Sequence, residues 1–356
     1  MKILFMPGRE SSYPRNAIIK NALLSQGIDI IECSSNGRNY FIRYSSILKK
    51  FLFNRDREYD LIFIGFFGQP LVPVIKKLTD KTIIFDAFLS AYDTICFDRK
   101  IFNPKSPTGK FFYWIDKNSC EVADKVLLDT NAHIEYFVNT FFMERSKFKR
   151  VFVGADENIF YPRKRKYSKK FKIFYYGTYK PSHGTEYIVK AAKKLEKYKD
   201  IEFEIVGKGM EYRRITKLAR QIDVKNIRFI KWLPYEDIPL HIAEANICLG
   251  GHFGCTEKAK RVIAGKTFQF IAMKKPVIVG DNLANKELFK NEENALMVEH
   301  GNENSLAEAI LKLKENKDLA DKIAENGYKT FQEKCSMKKM IEELRELLED
   351  LQRRLK

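Results

Sequence analysis

The sequence lacks the features that mark small disulfide-bonded, membrane-spanning or disordered proteins. Its 356 residues include only six cysteines, which show no paired spacing of the kind that binds zinc or builds a disulfide framework. No segment holds the roughly 20 apolar residues that a membrane-spanning helix requires. With 45% apolar residues and 28 phenylalanines, the composition is that of a globular protein. We therefore expect a cytoplasmic protein with reduced cysteines, in which any membrane contact is peripheral.

Acidic residues are scarce relative to basic ones. The 64 Lys and Arg residues outnumber the 46 Asp and Glu residues, and the resulting formal charge of +18 is spread along the chain. Nucleic acid, an anionic lipid surface or a phosphorylated small molecule are all compatible with such a charge. Because no recognised nucleic-acid-binding motif is present, nucleic acid is not an expected partner.

Short apolar runs alternate with longer amphipathic segments, which is the pattern of a doubly wound α/β sheet. The first half contains six strand candidates, at 2–6, 28–32, 61–65, 82–86, 125–129 and 150–154. The second half repeats the pattern, with candidates at 171–177, 201–207, 226–230, 246–250, 275–280 and 295–299. We therefore predict two α/β domains that face each other across a cleft, followed by C-terminal helices.

A charged run, RKRKYSKK at 163–170, separates the two halves and indicates a linker, the alternative being an exposed loop within one domain. The predicted division is an N-terminal domain at 1–160, the linker at 161–170, a C-terminal domain at 171–335 and a final helix at 336–356. That helix carries leucines at helical spacing, and we expect it to pack back toward the N-terminal domain.

The segment LGGHFGCTEKAKRVIAGKTFQF joins a glycine-rich stretch to a predicted helix. At about 100° per residue, Lys258, Arg261 and Gln269 fall in one polar stripe of that helix. The free N–H groups of residues 250–254, the helix N-terminus and the two cations all favour an oxyanion. The pattern predicts a site for the diphosphate of a nucleotide-sugar, the alternative being a solvated basic face on a buried helix.

The stretch FGCTEKAKRVIAGKTFQFIAMKKPVIVGD resembles the C-terminal half of family 4-like GT-B glycosyltransferases, the glycosyl transferases group 1. The resemblance continues in YGTYKPSHGTEYIVKAAKKL and IRFIKWLPYEDIPLHIAEANICLG and covers most of residues 171–335. It implies two Rossmann-like domains, with a nucleotide-sugar donor bound mainly to the second and the acceptor mainly to the first. It also implies a retaining reaction without a metal ion, and no Asp-X-Asp pair stands after a strand where Mg²⁺ could bind.

The resemblance also implies a set of donor-binding residues in the second domain. They are Gly177, Thr178, His183, Gly207, His252, Phe253, Gly254, Lys266, Gln269 and Glu287.

The sequence departs from the family at several of these positions. The family's two glutamates, eight positions apart, fall on Arg261 and Gln269. Its usual Arg and Lys in the first loop of this domain fall on Thr178 and His183. Gln269 can still hydrogen-bond a ribose hydroxyl, whereas Arg261 is suited to phosphate. Relative to the family, the positive charge of the first loop is replaced by that of Lys258, Arg261 and Lys266.

Four residues are the candidates for catalysis. Lys258 and Arg261 are predicted to stabilise the departing diphosphate. Asp86 and Asp93 follow the fourth strand of the first domain, where either could orient the acceptor hydroxyl or accept its proton. Both aspartates could equally be caps or turn residues.

Two further segments of the first domain are candidates for binding. Gly8 and Arg9 directly follow the first strand, where the family approaches the donor phosphates and acceptor, although a plain strand-to-helix turn is the alternative. Residues 39–57 mix aromatic and basic side chains and could lie on an anionic membrane surface. Their alternative is a core helix with a solvated basic face.

The sequence thus predicts a retaining hexosyltransferase that uses a nucleoside-diphosphate sugar as co-substrate and no other cofactor. The expected acceptor is a glycan or lipid-linked molecule, reached in the cytoplasm or at the inner membrane face. A dehydrogenase is disfavoured because VGKG at 206–209 lacks the third glycine of a dinucleotide fingerprint. The alternatives are a sugar-nucleotide epimerase of the same architecture and a non-catalytic basic protein that binds membranes or nucleic acid.

Overall fold

The structure is a computed structural model that describes residues 1–164 and 168–355. The chain divides into two compact units. The first comprises Met1–Cys96, Lys100–Val153 and the C-terminal segment from Met337, and the second comprises Phe97–Arg99 and the described residues from Gly154 to Ser336. Residues 165–167 of the predicted linker lie outside the described residues.

The first unit is built on a six-stranded parallel sheet. Its strands are β1 (Lys2–Pro7), β2 (Asp29–Glu32), β3 (Leu61–Gly65), β4 (Thr82–Phe88), β5 (Lys125–Leu128) and β6 (Phe148–Arg150). Their order is β2-β1-β3-β4-β5-β6, so the winding reverses between β1 and β3. The strand predicted at 150–154 was placed too late, since β6 ends at Arg150.

Five helices of the first unit connect these strands. They are α1 (Pro14–Leu24), α2 (Tyr40–Asn54), α3 (Leu71–Lys76), α4 (Pro107–Val122) and α5 (Asn131–Phe141). A π-helix at Asp93–Asp98 follows β4.

The second unit contains another six-stranded parallel sheet. Its strands are β7 (Phe171–Tyr176), β8 (Ile201–Val206), β9 (Ile227–Ile230), β10 (Ile247–Gly251), β11 (Val277–Gly280) and β12 (Leu296–Val298). Their order, β12-β11-β10-β7-β8-β9, reverses the winding between β7 and β10. Open α/β sheets bind ligands beyond the carboxyl ends of the strands at such a reversal.

The helices of the second unit end with two long C-terminal ones. They are α6 (Thr185–Lys194), α7 (Tyr212–Gln221), α8 (Ile238–Glu244), α9 (Gly265–Ala272), α10 (Leu283–Lys286), α11 (Glu303–Glu315) and α12 (Lys317–Lys334). The last helix of the chain, α13 (Met337–Leu355), belongs to the first unit and packs against α1. No helix within the described residues is long and apolar enough to cross a membrane.

Alternation along β1 separates the two faces of the first sheet, because successive strand residues point to opposite sides. Ile3 and Phe5 belong to a cluster with residues of α1 and α13. Leu4 and Met6 belong to a second cluster, with residues of α2, α3, α4 and α5. The first unit therefore has one layer of helices on each face of its sheet.

Candidate functional site

Two loops meet at the carboxyl ends of β7 and β10 in the second unit. The Phe253 N–H donates to the His183 carbonyl and the Gly254 N–H to the Ser182 carbonyl, each at 3.2 Å. Gly184 has φ +63°, and a Cβ on it would lie 2.3 Å from the Gly254 nitrogen. Only glycine permits this approach, so the two loops form one wall at the reversal of winding.

Two imidazole rings lie along this wall. His183 and His252 meet edge to face with ring centroids 5.0 Å apart, and His183 Nδ1 lies 2.8 Å from the Tyr175 hydroxyl. Burial, followed by the charge of Lys266, holds the pKa of each histidine well below its usual value. The buried Nδ1 of His252 has no hydrogen-bond partner among the described residues. Both rings are therefore neutral at pH 7.

Lys266 is the buried cation of this site. It lies in the first turn of α9, and its Nζ is 4.7 Å from the centroid of the Tyr175 ring. Within residues 1–164 and 168–355 its Nζ forms no ion pair or hydrogen bond. Burial, and next the charge of Lys180, lower the pKa of Lys266 to about 7. A buried ammonium without a counter-ion is costly, so a bound anion would stabilise it.

Lys258 and Arg261 precede α9 and do not share a helix with Gln269, so the predicted single helix is wrong. Lys258 lies in a 3₁₀ turn, Glu257–Lys260, that the Thr256 side chain caps. The backbone is extended at Ala264 (φ −65°, ψ 131°), so the chain leaves the helical conformation before α9 begins at Gly265. The structure nevertheless places buried Lys258 close enough to lower the pKa of both His183 and His252.

Gln269 is buried, and its amide lies between two tyrosine hydroxyls. The Tyr176 hydroxyl donates to Gln269 Oε1, and Gln269 Nε2 lies 3.2 Å from the Tyr235 hydroxyl. These contacts fix the orientation of the amide. Its predicted hydrogen bond to a ribose stays a prediction.

The remaining candidates of the second unit lie at the same sheet edge. Gly177 and Gly207 directly follow β7 and β8, and a Cβ on Gly207 would lie 2.0 Å from the Gly177 oxygen. Thr178 is exposed beside them. Glu287 is half-buried and follows α10 directly. The absence of a side chain at Gly177 leaves room for Lys266, because a Cβ on Gly177 would lie 3.2 Å from the Lys266 Cε.

In the first unit, Gly8 and Arg9 lie where the winding reverses between β1 and β3. A Cβ on Gly8 would lie 2.1 Å from the Phe67 oxygen, so this position requires glycine. The Arg9 guanidinium pairs with Glu10 at 3.1 Å and lies over the Tyr13 ring at 4.5 Å. Arg9 remains partly exposed.

The structure contradicts the catalytic role predicted for Asp86. Both carboxylate oxygens of this fully buried residue accept hydrogen bonds from Arg15 at 2.9 Å. The same guanidinium donates to the carbonyls of Val151 and Phe152. A carboxylate enclosed in this way cannot reach a substrate hydroxyl. Asp93, at the start of the π-helix, is also almost completely buried, and this burial opposes the proton-accepting role predicted for it.

Sequence reasoning missed three residues that shape the site. Tyr175 supports both His183 and Lys266, Tyr176 holds Gln269, and Lys180 lowers the pKa of Lys266. The alternation of β7 places Tyr175 and Tyr176 on opposite faces of the sheet, but it carries no signal for their ring contacts.

Comparison with known proteins gives a family and similar folds. Residues 156–330 match the family described as glycosyl transferases group 1. The chain is similar to sucrose-phosphate synthase from Thermosynechococcus elongatus, at 15% identity and TM-score 0.78, with 98% of each chain covered. It is similar to Anabaena HepE in complex with UDP-glucose, at 15% identity and TM-score 0.73, with 98% of this chain and 100% of that chain covered. A glycosyltransferase from Rickettsia africae ESF-5 gives 16% identity and TM-score 0.68, with 98% and 97% covered.

No curated protein matches the sequence. The likeness to the three structures shows the fold of the whole chain, and the family match concerns residues 156–330. The two six-stranded parallel sheets correspond to the two Rossmann-like domains of these proteins. Residues 156–330 belong to the glycosyl transferases group 1 family, and the whole chain has the GT-B fold.

Proposed function

We propose that this protein transfers a sugar from a nucleoside-diphosphate sugar to a hydroxyl group of a glycan or lipid-linked acceptor. The anomeric configuration is retained, and no metal ion or cofactor beyond the donor takes part. The reaction takes place in the cytoplasm or at the inner face of the membrane. Support for the nucleotide comes from the family and from the UDP and UDP-glucose complexes of HepE, which has a similar fold.

One observation carries the proposal, namely a buried cation at the reversal of winding that has no counter-ion among the residues that the structure describes. Lys266 lies beside two neutral histidines, and buried Lys258 adds a second charge close to them. Lys266 itself lies in the first turn of α9, where the helix N-terminus adds a partial positive charge. Together these groups are suited to an anion with two phosphoryl units.

The chemistry follows from where charge develops. When the bond between the anomeric carbon and the β-phosphate oxygen breaks, negative charge grows on the departing diphosphate. Lys266 and Lys258 are already held in place by packing, so they stabilise that charge without reorganisation. Losing such a group costs on the order of 3 kcal/mol in the barrier. Arg261, which follows the 3₁₀ turn, stays a candidate for the same role.

A ligand screen by thermal unfolding tests the proposal. A nucleoside diphosphate or its sugar at a hundredfold its dissociation constant adds about 2.7 kcal/mol of stability, which raises the unfolding temperature.

Lys266→Met should weaken donor binding about 10- to 100-fold, because a charge-assisted hydrogen bond contributes about 1.5–3 kcal/mol. Without ligand, this variant should be at least as stable as the parent, since it removes a buried, unpaired charge.

Lys274→Met is the matched control. Lys274 lies just beyond α9 but is exposed and paired with Glu325, so its removal should leave donor binding unchanged. Sugar transfer to an added acceptor should fall with Lys266→Met and persist with Lys274→Met. The proposal fails if no nucleoside diphosphate changes the unfolding temperature, or if both variants bind the donor equally well.

A further inference from the structure

Exposed apolar side chains of the first unit are concentrated on one of its two helical layers. In α2, Phe41 and Phe53 are 79% and 82% exposed, and Ile42 is exposed beside Phe41. In α4, Phe111 and Trp114 are 50% and 52% exposed. The opposite layer, α1 and α13, has only Leu24 as an exposed large apolar residue among its described side chains. If surface apolar residues were scattered at random, they would be exposed on both helical layers to a similar extent.

The outward face of α4 forms an aromatic cluster together with the loop before it. Phe111 and Trp114 are three residues apart, with ring centroids separated by 6.2 Å. Phe102, also exposed, stacks on Phe112 with centroids 6.3 Å apart. The inward face of α4 is occupied by Ile115 and other buried residues. Because α4 packs on the first unit through its inward face, the exposed rings are available to contact a surface outside the unit.

Exposed lysines lie close in sequence to the exposed aromatics of both helices. In α2, Lys49 and Lys50 are exposed, and the helix Tyr40–Asn54 contains no acidic residue. In α4, Lys110 precedes Phe111 and is exposed, and Lys105 lies in the preceding loop. Arg43, the remaining cation of α2, points inward and pairs with Glu10. The layer therefore presents aromatic rings and positive charge together.

We infer that this layer, through the outer faces of α2 and α4, is the surface by which the protein lies on an anionic lipid bilayer. Phenylalanine and tryptophan rings insert at the level of the headgroups, and lysines contact the lipid phosphates. Two separate contacts, one on each helix, give stable attachment where either alone is weak. The inference extends the membrane part of the proposed function and does not depend on donor chemistry.

A second copy of the chain is a poorer occupant of this surface. In a two-fold interface the same patch lies on both partners, so lysines of one copy would approach lysines of the other. Like charges that are desolvated together oppose association. An anionic bilayer supplies the complementary charge and an apolar phase at once.

Sedimentation of the full chain with vesicles tests the inference. Vesicles of equal parts phosphatidylglycerol and phosphatidylcholine should carry the protein down, and added salt or pure phosphatidylcholine should reduce this binding. Phe111→Ser combined with Trp114→Ser, and separately Phe41→Ser combined with Phe53→Ser, should each lower the partition coefficient by about tenfold or more. Leu24→Ser, on the opposite layer, is the matched control and should leave binding unchanged.

Tryptophan fluorescence gives a second measurement. The chain has two tryptophans, Trp114 and Trp232, so Trp232→Phe leaves Trp114 as the sole reporter. Its emission should shift to shorter wavelength on anionic vesicles and be quenched by brominated lipid. The inference is overturned by absence of vesicle binding, by binding that neither double variant weakens, or by self-association that these variants abolish. A thermal shift with nucleoside diphosphate that persists in the variants would separate this outcome from failure of the donor site.

Discussion

The protonation of Lys266 predicts how donor affinity depends on pH. Its pKa in the free protein is lowered to about 7, first by burial and then by Lys180. A bound diphosphate favours the ammonium form and raises that pKa. Below about pH 7 the group is protonated with and without donor, so its contribution to affinity is constant. Above that pH binding takes up a proton, and affinity falls by up to about tenfold per pH unit.

Calorimetric titration with a nucleoside-diphosphate sugar, whose diphosphate does not titrate near neutral pH, measures this slope. Titrations in two buffers with different ionisation enthalpies count the protons taken up. Lys266→Met should remove the slope between about pH 7 and pH 9. An unchanged slope in that variant would assign the proton to another group.

The Arg15–Asp86 pair predicts a structural effect at a position first taken for catalytic. Asp86→Asn leaves the buried guanidinium without its carboxylate, which should cost about 3–5 kcal/mol of unfolding free energy. Donor binding, which we propose for the second unit, should persist at temperatures where the first unit is folded. Chemical denaturation followed by circular dichroism measures the loss.

A double variant provides the control for this pair. Arg15→Met with Asp86→Leu removes both charges and should recover part of the stability, since buried ion pairs are replaceable by apolar groups. If Asp86→Asn keeps full stability but loses transfer activity, the catalytic assignment would stand and the structural one would be wrong.

At the residue scale, sequence identified groups but not their neighbours. The glycine-rich loop and the resemblance selected His183, His252 and Lys266, which the structure brings together around Tyr175. The aspartates after β4 had the right residue type and position for proton transfer. The burial of Asp86 depends on Arg15, which is 71 positions away from it in the chain. No local pattern reports such a contact.

At the scale of elements, the period of the apolar pattern and the burial of each segment determined which predictions were confirmed. Eleven of the twelve predicted strands agree closely with the structure because their apolar runs are short and bounded by turn residues. The twelfth, at 150–154, ends early, and the carbonyls of Val151 and Phe152 accept from Arg15. The predicted helix through residues 258–271 was wrong in its first half, since the extended Ala264 begins α9 anew.

The paired loops predict that Gly254→Ala disrupts the site. A Cβ at this position would lie 2.2 Å from the Pro181 oxygen, so the loops must separate. The hydrogen bonds that align His183 and His252 would lengthen. We expect a loss of about 1–3 kcal/mol in stability and weaker donor binding, measured by thermal unfolding and calorimetry.

Gly37→Ala is the comparison for that variant. Its Cβ would meet neighbouring atoms at 3.5 Å, an ordinary contact, and its φ is not in the left-handed region. Stability and donor binding should stay at the level of the parent protein. Equal behaviour of the two variants would mean that the loop pairing is not rigid.

At the scale of the whole molecule, the order of the chain and the order of folding units differ. The sequence predicted two domains and a final helix directed back to the first, and α13 is grouped with the first unit after the chain has built the second. Leucine spacing showed that the helix has an apolar face. The spacing could not show that α13 packs against α1 and against the face of β1 that carries Ile3 and Phe5.

Removal of α13 should therefore unfold the first unit and spare the second. The helix buries Met340, Leu344, Leu347, Leu348 and Leu351. At about 1.5–3 kcal/mol for each buried side chain, their loss amounts to roughly 10 kcal/mol. That is comparable with the whole stability of a typical domain, about 5–15 kcal/mol.

Hydrogen exchange with mass spectrometry measures this for a chain ending at Ser336. Amides of β1, β3 and β4 should lose protection, while those of β7, β8 and β10 keep it, because α6 and α11 still cover the second core. A chain ending at Asp350 is the control, since it lacks only Leu351 of the five buried residues and should keep protection in both units. Full protection of β1 in the shorter chain would show that α1 alone covers that face of the sheet. The C-terminal helix would then be an accessory to the first unit and not part of its core.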